Sequence, residues 1–327
     1  MPRRRALVAL SGALAATAAL VRSARAQERY PDRPPRIVVP YAAGTATDLI
    51  ARQLLAPMGD ALGQRPIVEN RAGAGGIVGA EAIARAAADG YNLLFAGSQT
   101  HAINVSLYGR LPYDPVRDFA PVARVASQPL VLVVHPDLPV HSVAELVALA
   151  RSRPGRLNYA SSGIGTSAHL CGSTLRSSAG IDITHVPYSN GGQLFTDLVS
   201  GATSFMFYPY QPLRPHVEAG KLRVLASTGA TRPPWLRDAP TMAESGFPDF
   251  VLTAWFGLYA PAGTPAPRVA AVSDAVGRAL ANPEILAAFA VAGTDAFFAP
   301  PAEFATFIGT EIERYRKVVA DSGARVE

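Results

Sequence analysis

Apolar residues recur along this chain in two rhythms. Short unbroken runs, such as Ile37-Val38-Val39, Leu93-Leu94-Phe95-Ala96 and Leu130-Val131-Leu132-Val133-Val134, fit strands buried on both faces. Between them lie stretches with apolar residues three and four apart, most clearly Leu49, Ile50, Leu54, Leu55, Met58 and Leu62. The first part of the chain therefore predicts a strand over 36–40 and a helix over 48–62, stopped by Gly63. A strand over 66–69, a helix over 77–88 ended at Asp89-Gly90, and a strand over 93–96 follow. That β-α-β-α-β order predicts a parallel, doubly wound sheet.

A second series begins with a strand over 130–135. Ser142 and Glu145 form a capping box at the start of a helix over 142–151. Strands over 157–160, 183–187, 204–208 and 222–226 alternate with helices from 168 and over 193–200. A Pro- and Arg-rich loop over 231–240, a strand over 255–259, and helices over 267–280 and 303–322 complete the chain. No short repeat period is visible, which argues against a solenoid. The reading is α/β: two lobes in series, each a mostly parallel sheet flanked by helices, with the chain end returning to the first. Lobe one is expected over 27–127 and 229–327 and lobe two over 128–228, with crossings near 126–130 and 228–232 and a ligand cleft between the lobes.

Residues 1–26 have a different character. Pro2-Arg3-Arg4-Arg5 is a basic start, residues 6–21 are apolar but short and rich in Ala and Gly, and Ala24-Arg25-Ala26 fits a small-x-small cleavage site. An export signal removed before Gln27 is expected; general secretion and twin-arginine export both remain open. The segment carries five arginines and no acid, so the full-chain balance of 30 basic to 25 acidic residues falls to 25 of each. The alkaline character belongs to the signal, and attraction to nucleic acid loses its basis. No later stretch is apolar for long enough to span a bilayer. Cys171 is the single cysteine, which excludes an intramolecular disulfide and a cysteine-based zinc site.

Two joints carry the candidate chemistry. Gly44-Thr45-Ala46-Thr47-Asp48 and Ser161-Ser162-Gly163-Ile164-Gly165-Thr166-Ser167 each follow a strand and open a helix. Such a joint presents unpaired N–H groups at the positive end of a helix dipole and takes a carboxylate or phosphate without a lysine. Ser98, Thr100 and Asn104 follow another strand end, and Tyr188-Ser189-Asn190-Gly191-Gly192 a fourth. Strand ends on one side of a parallel sheet converge, so these residues predict a polar, neutral site for a small hydrophilic anion. Asp48 has two readings, a helix-capping acid, which is favoured, or a ligand contact.

Other features favour structural roles. The run Asn70-Arg71-Ala72-Gly73-Ala74-Gly75-Gly76 has the wrong spacing for a dinucleotide fingerprint, and its glycines fit a tight turn with close helix packing. His169 and Cys171 stand about 200° apart on a helix, which argues against a catalytic pair. His185 ends a strand, where a hydrogen-bonded packing role is usual. No G-x-S-x-G motif and no metal-ligand spacing occurs, and no cofactor or metal is expected.

The chain also resembles the Bug/TctC family of periplasmic solute-binding proteins from tripartite tricarboxylate transport systems. The matching pieces run from Pro34 nearly to the C-terminus. They include Val38-Val39-Pro40-Tyr41-Ala42-Ala43-Gly44 with Asp48, Val68-Glu69-Asn70-Arg71-Ala72-Gly73-Ala74-Gly75-Gly76, and Leu111-Pro112-Tyr113-Asp114-Pro115. Later pieces are Leu157-Asn158-Tyr159-Ala160-Ser161-Ser162-Gly163, Gly165-Thr166-Ser167 with His169-Leu170, His185-Val186-Pro187-Tyr188 and Ala254-Trp255-Phe256-Gly257. The resemblance implies a type II-like periplasmic binding protein that closes two lobes on a carboxylic or amino acid, acts with membrane permease subunits, and works as a monomer without catalysis. It implies ligand contacts at Tyr41, Ala43, Gly44, Thr45, Thr47 and Asp48 in the first loop, and at Ser98, Thr100 and Asn104 in the next. In the other lobe it implies Ser162, Gly163, Gly165, Thr166, Ser167, His169, Tyr188 and Tyr208. Thr45 and Ala46 replace the usual glycine run, Ser189-Asn190 replaces the common Lys-Gly, and Tyr208 stands where many relatives carry an acid. These departures fall at expected contacts and leave the ligand's identity open. A periplasmic sensor and a secreted hydrolase using Cys171, His169 or His185 stand as the alternatives.

Overall fold

Arg36–Val39 (β1) is apolar on both faces and lies between two parallel partners, Ile67–Asn70 (β2) and Asn92–Gly97 (β3). Ala46–Leu62 (α1) and Ile77–Ala84 (α2) make the connections. The computed structural model describes residues 30–188 and 191–325. The expected signal over 1–26 and the pair Ser189-Asn190 lie outside the described residues.

Phe119–Val134 (β4) is the spine of the molecule. From Phe119 to Pro129 it pairs antiparallel with Thr253–Pro261 (β9), and Asp295–Ala299 (β10) pairs with it antiparallel at Arg124–Ser127. From Leu130 onward it changes partners, to Phe205–Pro209 (β7) and Arg223–Ser227 (β8). Beyond β7 lie Leu157–Ser161 (β5) and Ile183–Pro187 (β6), both in parallel pairings. The order β2-β1-β3-β9-β4-β7-β5-β6 gives one mixed, curled sheet that serves both lobes. The two-lobed α/β architecture is as expected. The sheet is mixed and not mostly parallel, because β9 returns from the far end of the chain and β4 must serve both lobes.

The helices follow their sequence signals. Val143–Ser152 (α4) begins at Ser142, whose hydroxyl accepts the Glu145 amide, and the Glu145 carboxylate accepts the His141 amide at 2.6 Å. Ser167–Ala179 (α5), Gly191–Val199 (α6) and Tyr210–Glu218 (α7) serve the second lobe. Ala266–Leu280 (α8) and Pro283–Val291 (α9) follow β9, and Pro301–Ser322 (α10) closes the chain. A π-turn over Gln99–Ile103 runs into the short helix Asn104–Leu107 (α3). The first half of β4, α7, α9 and β10 lie outside the sequence expectations. Pro121 and Pro129 hide the first half of β4, since proline argues against a central strand. The chain accommodates Pro121 at a register shift, where the ladder lacks a regular bond.

The core passes without interruption between the lobes. Leu94 and Ile103 of the first lobe, Tyr159 and Phe205 of the second, and Trp255, Phe304 and Tyr315 belong to one buried cluster, with α10 lying across both parts. At the partner switch Thr228, fully buried, joins three segments. Its amide donates to Leu130 O at 2.9 Å, its hydroxyl accepts the Leu130 amide at 2.9 Å, and that hydroxyl donates to Leu252 O at 2.6 Å. Gly97 permits another close approach: a Cβ there would stand 1.7 Å from the Trp255 carbonyl oxygen.

Under the start of α5, the rings of His169 and His185 stack at 4.1 Å, with Tyr159 against His185 at 4.9 Å. His169 Nδ1 accepts the Gly165 amide at 3.1 Å, and His185 Nε2 lies 2.6 Å from the Ser161 hydroxyl. Burial, then the neighbouring His169 and Arg176, pull the His185 pKa down to about 4, and burial with Arg176 also lowers His169.

Thr228→Val is expected to strand the Leu130 amide in the core and cost ~1–3 kcal/mol, or about 2–4 °C in Tm for each kcal/mol. Thermal unfolding by circular dichroism measures it; an unchanged Tm removes Thr228 from this role. The histidine stack carries a second expectation. Both rings are neutral in the fold, whereas the unfolded chain takes up protons below about pH 6.5. Their stabilising effect is complete above that pH, and the part due to His185 is lost as pH falls through about 4. Tm should decline across this window, and less steeply in His185→Gln.

Candidate functional site

The first joint is held by Asp48. Its buried carboxylate accepts Arg52 Nε at 2.9 Å, the Gly44 amide at 2.9 Å and Asn70 Nδ2 at 2.8 Å. Burial alone would raise its pKa; these hydrogen bonds outweigh burial and leave it below the ordinary carboxylate value. Asn70 also donates to Tyr41 O at 3.0 Å, which ties the end of β2 to the loop after β1. With the loop so fixed, the amides of Ala46, Thr47 and Asp48 at the start of α1 have no partner among the described residues.

The second joint is built alike. Ser161 Oγ accepts the Gly163 amide at 3.1 Å, and Thr166 Oγ1 donates to Gly163 O at 2.8 Å. Thr166 caps α5 by accepting the His169 amide. Gly165 takes φ +76° and lies against Leu107 of α3; a Cβ there would meet that side chain at 2.3 Å. The amides of Ser167 and Ala168 have no partner among the described residues.

The two helix starts meet at one cavity of about 170 Å³. Thr47 of α1 and Ser167 of α5 both line it, with Tyr41, Gly97, Ser98 and Gln99. The hydroxyls of Tyr41, Thr47, Ser98 and Ser167 make no hydrogen bond to any described residue. Among the described residues that line the cavity there is no Asp, Glu, Lys, Arg or His. Burial pushes the Tyr41 phenol well up, so it is a neutral donor. The arrangement is a neutral cradle of hydroxyls at two helix N-termini, able to bind an anion by hydrogen bonds and dipoles alone.

The remaining sequence candidates lie elsewhere. Gly44, Thr45 and Tyr208 line a neighbouring cavity of about 490 Å³ with Gln128 and Gln211. Ala43 and Ser162 are exposed, and Gly163 and Thr166 shape the second joint from within. Thr100 and Asn104 are fully buried: the Thr100 hydroxyl donates to Gly97 O at 3.1 Å, and Asn104 Nδ2 donates to Gly75 O at 3.1 Å. His169 spends Nδ1 on Gly165, and the Tyr188 hydroxyl donates to Asp197 at 2.6 Å. Ala254, Trp255 and Phe256, which line the cavity, are not among the sequence candidates. Gln99 follows Ser98 in the strand-end motif and was within reach. The β9 residues were not, because their approach depends on a pairing between segments far apart in sequence.

Two nucleophile candidates are enclosed by the fold. Cys171 is fully buried and burial drives its thiol pKa well up, away from the reactive thiolate. Ser161, although close to His185, is fully buried and bonded within its own loop. The glycine run after β2 adopts positive φ at Gly73, Gly75 and Gly76, in keeping with a tight turn.

Known proteins show the same plan. The family model described as the tripartite tricarboxylate transporter family receptor matches residues 50–324. Protein BugT of Bordetella pertussis is 36% identical over 322 residues, covering 98% of each chain. A solved structure described as a periplasmic transporter has a TM-score of 0.79 and 37% identity, covering 91% of this chain and 100% of that one. An R. palustris protein solved with adipate has a TM-score of 0.80 at 34% identity, with 91% of this chain and 100% of that one covered. MatC from Rhodopseudomonas palustris, solved with bound malate, has a TM-score of 0.75 at 34% identity, covering 89% of this chain and 100% of that one. By sequence over most of its length and by fold, this chain belongs to the tripartite tricarboxylate transporter receptor family, the TctC/Bug solute-binding proteins.

Proposed function

We propose that this protein captures a small organic carboxylate in the cavity between α1 and α5 and delivers it to the permease subunits of a tripartite tricarboxylate transporter. The observation that carries this reading is the set of four unpartnered hydroxyls around the two helix starts. One carboxylate would rest on Ser167 and the first amides of α5, and the other end of the ligand on Thr47, Ser98 and the first amides of α1. Hydrogen bonds to a charged group contribute ~1.5–3 kcal/mol each. Two or three, offset by association entropy, are consistent with micromolar affinity, about −8 kcal/mol. The cavity is smaller than the ~300–1,000 Å³ usual for drug-sized ligands, which favours a compact acid. The adipate and malate held by two relatives fit that size class.

In this reading the lobes comprise 27–127 with 229–327, and 128–228. A ligand touching both would hold them closed, since only contacts made better in one state shift the equilibrium. The neighbouring cavity beside Thr45 and Tyr208 would accommodate any extension of the ligand. The protein is read as a periplasmic monomer, exported by the segment ending at Ala26, and without catalytic activity.

Calorimetric titration with malate, adipate and their neutral diesters tests the proposal. Saturable heat is expected with at least one diacid and none with its diester; silence from a broad carboxylate panel would overturn it. Thr47→Val and Ser167→Ala should each weaken that diacid by ~1.5–3 kcal/mol, roughly ten- to more than a hundredfold in Kd. Ser162→Ala, on the exposed part of the loop, should leave Kd within about twofold.

A further inference from the structure

A larger groove, of about 740 Å³, opens where the segments that pass between the lobes meet. Ser127 and Pro129 of β4, residues 229–232 after β8, and Thr253 at the start of β9 form part of its wall. It shares no lining residue with the cavity between α1 and α5.

Arg124 of β4 is the unusual group in this groove. Its guanidinium carbon lies over two rings, 4.2 Å from the Phe297 centroid and 3.8 Å from that of Phe307. The rings give the cation two cation–π contacts but no acceptor for its five N–H donors, which lie in the guanidinium plane. Nε is buried and has no hydrogen-bond partner among the described residues. The other arginines of the groove are paired: Arg232 with Glu244 at 2.9 Å and Arg314 with Glu311 at 3.4 Å. Arg124 has no ion pair among the described residues, although Glu311 lies near enough to act on it at longer range. Burial lowers its pKa to about 10, against the opposing charge of Glu311 and then Tyr259. A guanidinium that lines a groove, contacts two rings and has no ion pair among the described residues is suited to a carboxylate or sulfonate lying in its plane.

The rest of the wall narrows the ligand class. Leu286 and Phe297 expose 43% and 48% of their surface beside the groove, large values for such residues. Asp295 and Glu311 also line it and would repel a second negative charge. We propose that this groove is a second binding site, for an organic monoanion with an apolar body. Its charged end meets the edge of Arg124, and its body lies on Leu286 and Phe297. This ligand differs from the compact hydrophilic acid proposed for the cavity between the helix starts, and the inference stands whether or not that acid binds.

The probe is 8-anilinonaphthalene-1-sulfonate, an amphipathic monoanion whose fluorescence rises on leaving water, with octanoate as competitor. The full exported chain should bind one equivalent saturably and release it to octanoate. Arg124→Gln should weaken the probe by at least about tenfold, and Arg124→Lys by less, since it keeps the charge and loses the fork. Thr310→Trp, at an exposed position on the α10 wall, should block the groove and gives a readout even if Arg124→Gln fails to fold. Thr47→Trp, which fills the other cavity, should leave probe binding unchanged. Absence of saturable binding, wild-type affinity in a folded Arg124→Gln or in Thr310→Trp, or loss of binding in Thr47→Trp would each overturn the assignment.

Discussion

The hydrogen bonds around Thr228 hold the place on which the two-lobed form depends. There β4 stops serving one lobe and starts serving the other, and the chain from β8 turns toward β9. A strand that changes partners exposes backbone groups on both edges, and buried groups of that kind must be satisfied. Thr228 uses its amide, carbonyl and hydroxyl for this, so the partner switch costs little in lost hydrogen bonds. The same arrangement ties the residue before β9 to β4 where β4 passes from β9 to β7. The junction lies within a shared core, so the packing of the two parts is continuous across it.

The cavity between those helices depends on neutrality. An acid stands at the first joint, yet Asp48 is enclosed by Arg52, Asn70 and the Gly44 amide and shapes the loop instead of facing an anion. Histidines stand below the second joint, yet burial keeps them neutral and one of them receives the Gly165 amide. The charged side chains are thus spent on holding backbone in place. Hydroxyls and helix starts are left at the cavity, where they attract an anion less strongly than a lysine would. Such a site suits a receptor that must release what it binds.

Much of this was legible in the residues. The strand–loop–helix joints, the capping box at Ser142 and the tight glycine turn all follow from local rules and stand as expected. Thr47, Ser98 and Ser167 come together at one cavity, in keeping with the convergence of strand ends on one side of a sheet. The side chains that do not line the cavity share a physical reason. Thr100, Asn104 and His169 have the right chemistry at the right distance along the chain, but their side chains turn inward to satisfy neighbouring backbone. Periodicity does not report that choice. The first half of β4 was obscured by its prolines, and Ala254, Trp255 and Phe256 reach the cavity through a long-range pairing that no local pattern encodes.

The contact between Gly97 and the Trp255 carbonyl has a bearing on how such a receptor changes its preference. At that point one side of the cavity is bare backbone from two adjoining strands, pressed too close for any side chain to intervene. Mutation cannot re-line that surface without prying the sheet apart. Within this cavity, variation is therefore left to side chains such as Thr47, Ser98, Gln99 and Ser167.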